Sequence, residues 1–162
     1  MKYRIWAIVI FYFFTQFAYS QIRVAVIPFQ NIDGNMDLNI WSYTLQDTIA
    51  KALQEQDIEE KHFRIIPQDS IDLIVAESNL DPNNPQYASD MWETIKLLNA
   101  ERIITGNFDT KANRILLNVY IYDIKTKLYD PVNCAKDIFK TQEKLLESIP
   151  FIVKKLLPAL KK

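Results

Sequence analysis

The chain has 162 residues, of which 49% are apolar, 24% charged and 12% aromatic, and its formal net charge is −1. These values predict one folded domain and exclude a disordered or collagen-like chain, because glycine occurs only twice. The charge balance does not indicate a basic nucleic-acid-binding face. With one cysteine and one histidine, an internal disulfide is excluded and a multi-histidine metal site is not expected.

Residues 1–20 have the features of a secretory signal peptide. Three features follow one another: a positively charged end, an apolar stretch, and two small residues at the positions that a signal peptidase recognises. We therefore predict cleavage before Gln21, which leaves residues 21–162 as a single domain. In chain order, these features are Lys2 and Arg4, residues 5–14, and then Ala18 and Ser20.

A retained membrane anchor is the alternative interpretation of this segment. Gln16 interrupts the apolar stretch, which leaves it short of the roughly 20 residues that a spanning helix needs. No cysteine stands at the predicted cleavage site, so a lipidated amino terminus is not expected. We predict an exported protein that is periplasmic or associated with the outer membrane, with no membrane insertion after cleavage.

The first predicted elements of the mature chain are a strand at 22–29 and a helix. The strand is apolar on both faces, which is typical of an internal strand, so Val24 and Val26 should be buried. A polar turn follows, in which Asp37 or Asn39 is expected to cap the helix. Apolar residues at helical spacing indicate that helix: Leu38, Trp41, Leu45, Ile49 and Ala52.

The middle of the chain predicts a short strand and two helices. The strand is expected at 62–66 and the first helix at Gln68–Glu77. Two prolines and three asparagines make 78–86 the most loop-like segment after the signal. A second helix is predicted over 88–98, and Asn99 stands where a left-handed residue often ends a helix.

The last part of the chain predicts three strands and a helix. Strands at 101–109 and Arg114–Asp123 are joined by a hairpin turn, and a weaker edge strand is expected at 129–137. A final helix at 141–157 should be kinked or divided by Pro150. The order β-α-β-α-α-β-β-β-α predicts an α/β domain, a three-layer-like mixed sheet with flanking helices.

Two stretches resemble a family of bacterial envelope domains. Residues 24–31, VAVIPFQN, resemble the V-A-V-L-P-F-x-N start of TolB amino-terminal-like domains, and residues 98–106, LNAERIITG, are similar to their L-G-A-D-Y-V-L-x-G segment. The same core occurs in the curli-secretion lipoprotein, in flagellar outer-membrane assembly proteins and in activators of penicillin-binding proteins. The resemblance implies an envelope domain that binds proteins. Its matched structural positions are Val24, Val26, Pro28, Phe29, Asn31, Asn99 and Gly106.

This sequence departs from the family in several features. TolB proteins carry a β-propeller after this domain, whereas this sequence stops at Lys162. The secretion and activator members carry a lipid-acceptor cysteine after the signal peptide, and no cysteine stands there in this sequence. The curli channel also needs long membrane-spanning hairpins, whereas the hairpin predicted here is short and has no clean lipid-facing band. Gly106 inside a strand predicts a bulge or close packing at that point. We therefore expect a domain that acts as a soluble partner and forms no pore.

The sequence assigns no catalytic, cofactor-binding or metal-binding residue. Oxygen ligands alternate through Asp33, Asn35, Asp37 and Asn39 as in a calcium loop, but the required glycine and terminal glutamate are absent, so a capping turn is favoured. His62 has no nucleophile nearby in any motif, and we interpret it as a partly exposed structural histidine. The single cysteine, Cys134, is interpreted as a buried strand thiol.

The leading hypothesis is a non-enzymatic accessory protein that binds envelope proteins in outer-membrane assembly, secretion or the regulation of peptidoglycan synthesis. The alternatives are a small-molecule or glycan binder with a cleft near 31–39, and an enzyme with an unrecognised site. Self-association stays open, and nucleic acid is not an expected partner. Candidate interaction surfaces are the loop at 78–86 and the edge strand at 129–137. Their assigned residues are Asp81, Asn83, Asn84, Tyr129 and Val132.

Overall fold

A computed structural model of the protein describes residues 21–161, so the predicted signal segment lies outside the described residues. No helix within 21–161 is long and apolar enough to cross a bilayer. The described chain forms one mixed sheet with helices on both faces. The strands are β1 Ile22–Val26, β2 Gln30–Asn31, β3 Phe63–Ile65, β4 Arg102–Lys111, β5 Arg114–Asp123 and β6 Ala135–Lys140; the helices are α1 Ile40–Gln54, α2 Gln68–Glu77, α3 Tyr87–Ile95 and α4 Ile149–Leu160.

The predicted α/β fold is confirmed, with the two-residue strand β2 as an addition. The spatial order of the sheet is β3-β1-β4-β5-β6, and β2 lies beside β4. Strand β1 pairs in parallel with β3 and with β4, whereas β4, β5 and β6 are antiparallel. β1 is therefore internal, and Val24 and Val26 are fully buried, as predicted.

Two apolar cores lie on opposite faces of the sheet. On one face, α1 and α4 pack against alternate residues of every long strand, including Val24, Ile104 and Leu117. On the other face, α2 and α3 pack on Ala25 and Ile103. The second core is smaller and ends at β4 and the last residues of β5. The sheet is thus covered completely on one face and only partly on the other.

Two of the motif positions have the backbone geometry that the sequence indicates. Asn99 ends the helical segment in the left-handed conformation, with φ 48° and ψ 41°. Gly106 lies in β4, where an added Cβ would stand 1.8 Å from the Asn118 carbonyl oxygen and 2.9 Å from the Phe29 ring. The missing side chain allows β5 and Phe29 to approach β4 closely, so close packing, and not a bulge, explains this glycine.

The hairpin between β4 and β5 turns at two residues with positive φ, Ala112 at 50° and Asn113 at 60°. Positive φ at both central residues is the geometry of a type I′ turn, whose twist matches that of antiparallel strands. The turn fixes the register in which Gly106 faces Val119. The predicted antiparallel arrangement of β4 and β5 is confirmed.

Several local predictions are wrong. The edge strand begins at Ala135, because a long loop with only an isolated bridge at Tyr129 precedes it. The final helix begins at Ile149 and not at 141, after two short 3-10 turns at Gln142–Lys144 and Leu146–Ser148. Pro150 lies in the first turn of α4, where its missing N–H has no partner to lose, so it introduces no kink. Neither Asp37 nor Asn39 caps α1 through its side chain; Asn35 caps the short helical turn before it.

Candidate functional site: the open face of the sheet

Within residues 21–161, no helix packs over one face of β5 and β6 except at Tyr122, which Trp92 of α3 contacts. In β5, alternate residues are buried beneath α4, whereas the residues between them point to the opposite face and are partly exposed. Phe139 of β6 pairs with Leu116 of β5, is 40% exposed and lies on that same face. We call this surface the open face; its members are Leu116, Asn118, Tyr120 and Tyr122 of β5, Lys136 and Phe139 of β6, and the flanking Tyr129 and Trp92.

Four aromatic rings form a continuous cluster on the open face. The ring centroids of Tyr120 and Tyr129 are 5.2 Å apart, and those of Tyr122 and Tyr129 are 6.1 Å apart. Tyr122 also meets the edge of Trp92 at 5.6 Å. These inclined contacts are the favourable geometry for aromatic pairs. The cluster is therefore a defined, partly exposed apolar platform with hydroxyl groups at its rim.

Cationic side chains lie over the rings of the open face. The Lys136 ammonium is 4.6 Å from the Tyr129 ring centroid and donates a hydrogen bond of 3.1 Å to its hydroxyl. Lys127 lies 5.6 Å from the Trp92 ring, and the Arg114 guanidinium lies 5.2 Å from that of Phe139. Each exposed contact of this kind contributes roughly 0.5–1 kcal/mol. The open face is thus both aromatic and positively charged.

Burial raises the pKa of the Tyr120 and Tyr122 hydroxyls above the usual value for tyrosine. At Tyr120, Lys136 acts in the opposite direction and lowers the pKa in part. Both phenols are consequently neutral at physiological pH and keep an O–H group that can donate a hydrogen bond. The open face can offer donors as well as apolar contact.

A β-bulge in β6 lies beside the open face, between Ala135 and Ile138, which are both on the buried face. The register of β6 on β5 shifts between Leu117 and Val119, and Asp137 adopts a positive φ of 56°. The Asp137 N–H donates to the Asn118 side-chain oxygen at 2.9 Å, so the bulged backbone has a partner. Bulges and lysines hinder the addition of a further strand. The geometry therefore favours the open face, rather than the β6 edge, as a binding surface.

The two predicted interaction surfaces lie near opposite ends of β4. The Asn31 N–H donates to the Pro82 carbonyl in the loop at 78–86, and Asn31 pairs with Phe108 of β4. Tyr129 bridges Tyr122, whose partner on β4 is Ile103. Five residues of strand separate these two points, about 17 Å. The structure does not bring the loop residues and Tyr129 into one site.

The loop at 78–86 is held in place by its own side chains. The Asp81 carboxylate accepts from the Asn83 N–H, and the Asn84 side chain accepts from the Gln86 N–H, each at 2.9 Å. Asp81 and Asn84 are exposed and Asn83 is half-buried, while Leu80 is buried beneath them. The loop presents polar groups on a fixed backbone.

Of the candidates near the edge strand, Tyr129 belongs to the open face. Val132 is 77% exposed in a turn held by the Asp130 carboxylate, outside β6. Cys134 is half-buried in the same loop and is not the buried strand thiol that we predicted. The prediction missed Trp92, Lys136 and Phe139. The alternation in β5 does place Tyr120 and Tyr122 on the face opposite α4, but it cannot show that the cover of α3 extends only as far as Tyr122.

The polar segment at 31–39 uses its side chains internally. The Asn31 amide nitrogen donates to the Asn35 carbonyl at 2.9 Å and to the Asn39 side-chain oxygen at 2.8 Å. The Asn35 side chain accepts from the Asp37 N–H. Within residues 21–161, no group of three or more His, Cys, Asp or Glu is placed to hold a metal ion. The asparagine side chains of this segment therefore hold its own turns, in agreement with the capping interpretation.

His62 is half-exposed and lies beside Asp57, with Nδ1 3.5 Å from its carboxylate. That carboxylate accepts three backbone N–H groups, from Lys61, His62 and Phe63. Burial raises the pKa of Asp57, but these hydrogen bonds outweigh it and lower the pKa below the usual value. Asp57 thus fixes the backbone at the start of β3, and the His62 side chain lies beside its carboxylate.

No protein-family model matches the chain, and no curated protein matches it. Solved structures do. The C-terminal domain of LpoB from Salmonella enterica aligns at 14% identity with a TM-score of 0.54, over 78% of this chain and 87% of that chain. LpoB from E. coli aligns at 14% identity with a TM-score of 0.55, over 76% of this chain and 60% of that chain.

A lipoprotein from Neisseria meningitidis aligns at 12% identity with a TM-score of 0.50, over 85% of this chain and 98% of that chain. At identities this low, structural similarity establishes a shared fold and nothing further. The chain therefore shares the fold of the LpoB C-terminal domain and of the Neisseria lipoprotein.

Proposed function

We propose that the protein is a non-enzymatic accessory domain of the bacterial cell envelope that binds another envelope protein through the open face. The observation that carries the proposal is an aromatic and cationic sheet surface that, among residues 21–161, lies mostly beyond the helix cover of the neighbouring strands. The signal-like residues 1–20 and the fold shared with envelope proteins support the location.

The composition of the open face matches that of protein-binding surfaces. Tyrosine, tryptophan and arginine are enriched where proteins bind each other, because they bury large areas while keeping a polar group at the rim. Tyr120, Tyr122, Trp92 and Arg114 supply these groups. Asn118 is already hydrogen-bonded to Asn107 and to the Asp137 backbone, so it adds no unpaired polar group to a buried interface. A partner with acidic and apolar side chains would complement this surface.

A glycan-binding role is less well supported by the same geometry. Sugars stack on free aromatic faces, but Lys136 already lies over the rings of Tyr120 and Tyr129. The rings of Tyr122 and Tyr129 are inclined to each other by 73°, so they offer no flat platform. The proposed partner is therefore a protein, active in outer-membrane assembly, secretion or the regulation of peptidoglycan synthesis.

Photo-crosslinking in living cells tests this proposal. A photoreactive amino acid replaces Phe139 or Tyr129, and Ile58, a 79% exposed residue in the turn after α1, serves as the matched control. We expect the two open-face positions to cross-link to the same envelope protein and the control position to give no such product. Equal cross-linking at all three positions, or none at the open-face positions, would contradict the proposal.

A further inference from the structure

The charged residues of the protein are segregated into separate regions of the fold. Residues 24–50 and 65–95 contain nine acidic residues and no lysine or arginine, whereas residues 111–161 contain ten basic and five acidic residues. The acid-only segments form the first turns of α1, all of α2 and α3, and the loop at 78–86. The net charge of −1 for the whole chain conceals an acidic side and a basic side.

A groove crosses the acidic side between α1 and α2. It has a volume of about 550 Å³ and is open to solvent. Its floor is apolar, with Val75, Ala76 and the buried Leu80, and its walls carry Tyr43, Asp72 and Asp81. Burial, and then the negative charges of Asp81 and Asp72, raise the pKa of Tyr43. Both carboxylates therefore act on the same small volume.

An exposed apolar stripe extends the groove along the start of α1. Met36 is 80% exposed, Ile40 is 67% exposed and Tyr43 is 46% exposed. Ile40 and Tyr43, three residues apart, lie on one side of α1, and Met36 lies in the short helical turn that precedes it. Tyr43 connects this stripe to the groove. A bound chain would remove these exposed apolar side chains from water.

We propose that this acidic groove and its apolar stripe bind a basic amphipathic segment of a partner protein, one in which lysine or arginine alternates with large apolar residues. The carboxylates of Asp72 and Asp81 pair with the cationic groups, and Met36 and Ile40 pack against the apolar ones. This surface is distinct from the open face, whose charge is positive, so the two surfaces select partners of opposite charge.

Charge complementarity decides the occupant. No lysine or arginine lies within the segments that build the groove, so a basic segment meets no repulsion there. Opposite charges near a protein surface attract each other, and this attraction weakens as salt is added. An acidic or purely apolar segment would lack this attraction.

Peptide binding to the purified protein tests the inference. The probe is a fluorescent 14-residue helical peptide of leucine and lysine, and its matched control carries glutamate in place of lysine. We expect the lysine peptide to bind at least about tenfold more tightly, with an affinity that falls as sodium chloride is raised. Equal binding of the two peptides, or binding insensitive to salt, would overturn the inference.

Charge variants locate the binding. Asp72→Asn with Asp81→Asn removes both charges and keeps the oxygen that accepts from the Asn83 N–H. We expect it to weaken binding of the lysine peptide about tenfold. Asp69→Asn with Asp90→Asn removes the same charge from acidic helices outside the groove and should leave binding within about twofold. Equal losses of peptide affinity in the two double variants would overturn the inference.

Substitution of the exposed apolar residues tests the binding site independently of its charges. Met36→Ser with Ile40→Ser should weaken the lysine peptide, whereas Ile58→Ser, equally exposed elsewhere, should not. Sedimentation of the protein alone completes the test. Self-association that the groove variants abolish would show that a second copy fills the groove, and it would overturn the basic-segment assignment. Because the photo-crosslinking positions lie on the open face, the two proposals can fail separately.

Discussion

The covered and open halves of the sheet share one face but differ in what lies on it. Ile27 and Ile103 are fully buried under α2 and α3. Tyr120 and Tyr122, which point to the same side from β5, are only half-buried and end in hydroxyl groups. The covered half is packed on both faces, and the open half is the one that we propose contacts a partner, so equal truncations in the two halves should have unequal effects on stability.

The largest expected effect comes from truncation in the covered half. Ile103→Ala leaves a cavity in the second core and should reduce the free energy of unfolding by about 4 kcal/mol. Phe139→Ala in the open half removes more atoms but should cost less than about 1 kcal/mol, because its ring is 40% exposed. Urea denaturation of both variants measures the difference, and equal losses would break the comparison.

A methyl group at the boundary between the halves should also be costly. Gly106→Ala places Cβ against the Asn118 carbonyl oxygen, so β4 and β5 must move apart, at about 3 kcal/mol. Gly34→Ala is the control, because nothing lies within 4 Å of an added Cβ there. Its positive φ should cost only about 1 kcal/mol. Thermal denaturation that ranks the two variants the other way would contradict the packing explanation.

An intermediate, pH-dependent effect is expected at Asp57, which supports β3 at the covered edge. Its pKa is lowered in the folded protein, so its contribution to stability is complete above the ordinary pKa of about 4 and is lost as the pH falls through the folded value. Asp57→Asn should destabilise the protein by about 1.5 kcal/mol at pH 7.

Melting temperatures recorded between pH 7 and pH 2.5 check this behaviour. The difference between the wild type and Asp57→Asn should shrink as the pH falls from about 4 through the lower pKa of folded Asp57, since both side chains are uncharged below that pKa. A difference that stays constant over the whole range would show that the charge on Asp57 does not act through these hydrogen bonds.

The smallest effect on stability is expected on the open face. Lys136→Gln removes the contacts with the rings of Tyr120 and Tyr129, and should cost less than about 1 kcal/mol. If the open face binds the envelope partner, the same substitution should clearly reduce the photo-crosslinked product. Lys140→Gln, also on β6, is the matched control. A variant that loses stability and keeps its cross-link would reverse the roles assigned to the two halves.

Local sequence signals predicted much of the framework. The apolar residues on both parities of β1 require cover on both faces, and Asn99 tolerates the left-handed conformation that ends a helix. The start of β6 could not be predicted, because its bulge at Asp137 and the turn around Asp130 depend on contacts with Asn118 and within the loop. Pro150 was ambiguous, since proline can begin a helix or break one.

The candidate site was harder to predict, because it depends on the absence of a helix over a surface. The alternation of Tyr120 and Tyr122 with buried aliphatic residues is visible in the sequence, yet only the tertiary arrangement shows where α2 and α3 end. Charge segregation is different. The segments without lysine or arginine can be read directly from the sequence, but their meaning appears only when α1, α2 and the loop meet around the groove at Asp72.

The central position of β1 has a consequence for the order in which the protein can fold. Val24 pairs with Ile65 and with Arg102, which follow far later in the chain, whereas β4, β5 and β6 are sequential neighbours. Long loops must close before β1 gains its partners, so the hairpins of the carboxy-terminal half are expected to form first. A chain threaded across a membrane from its amino terminus would deliver β1 first and complete it last. During that interval the apolar residues of β1 would remain exposed. A chaperone in the compartment that receives the chain could bind them there.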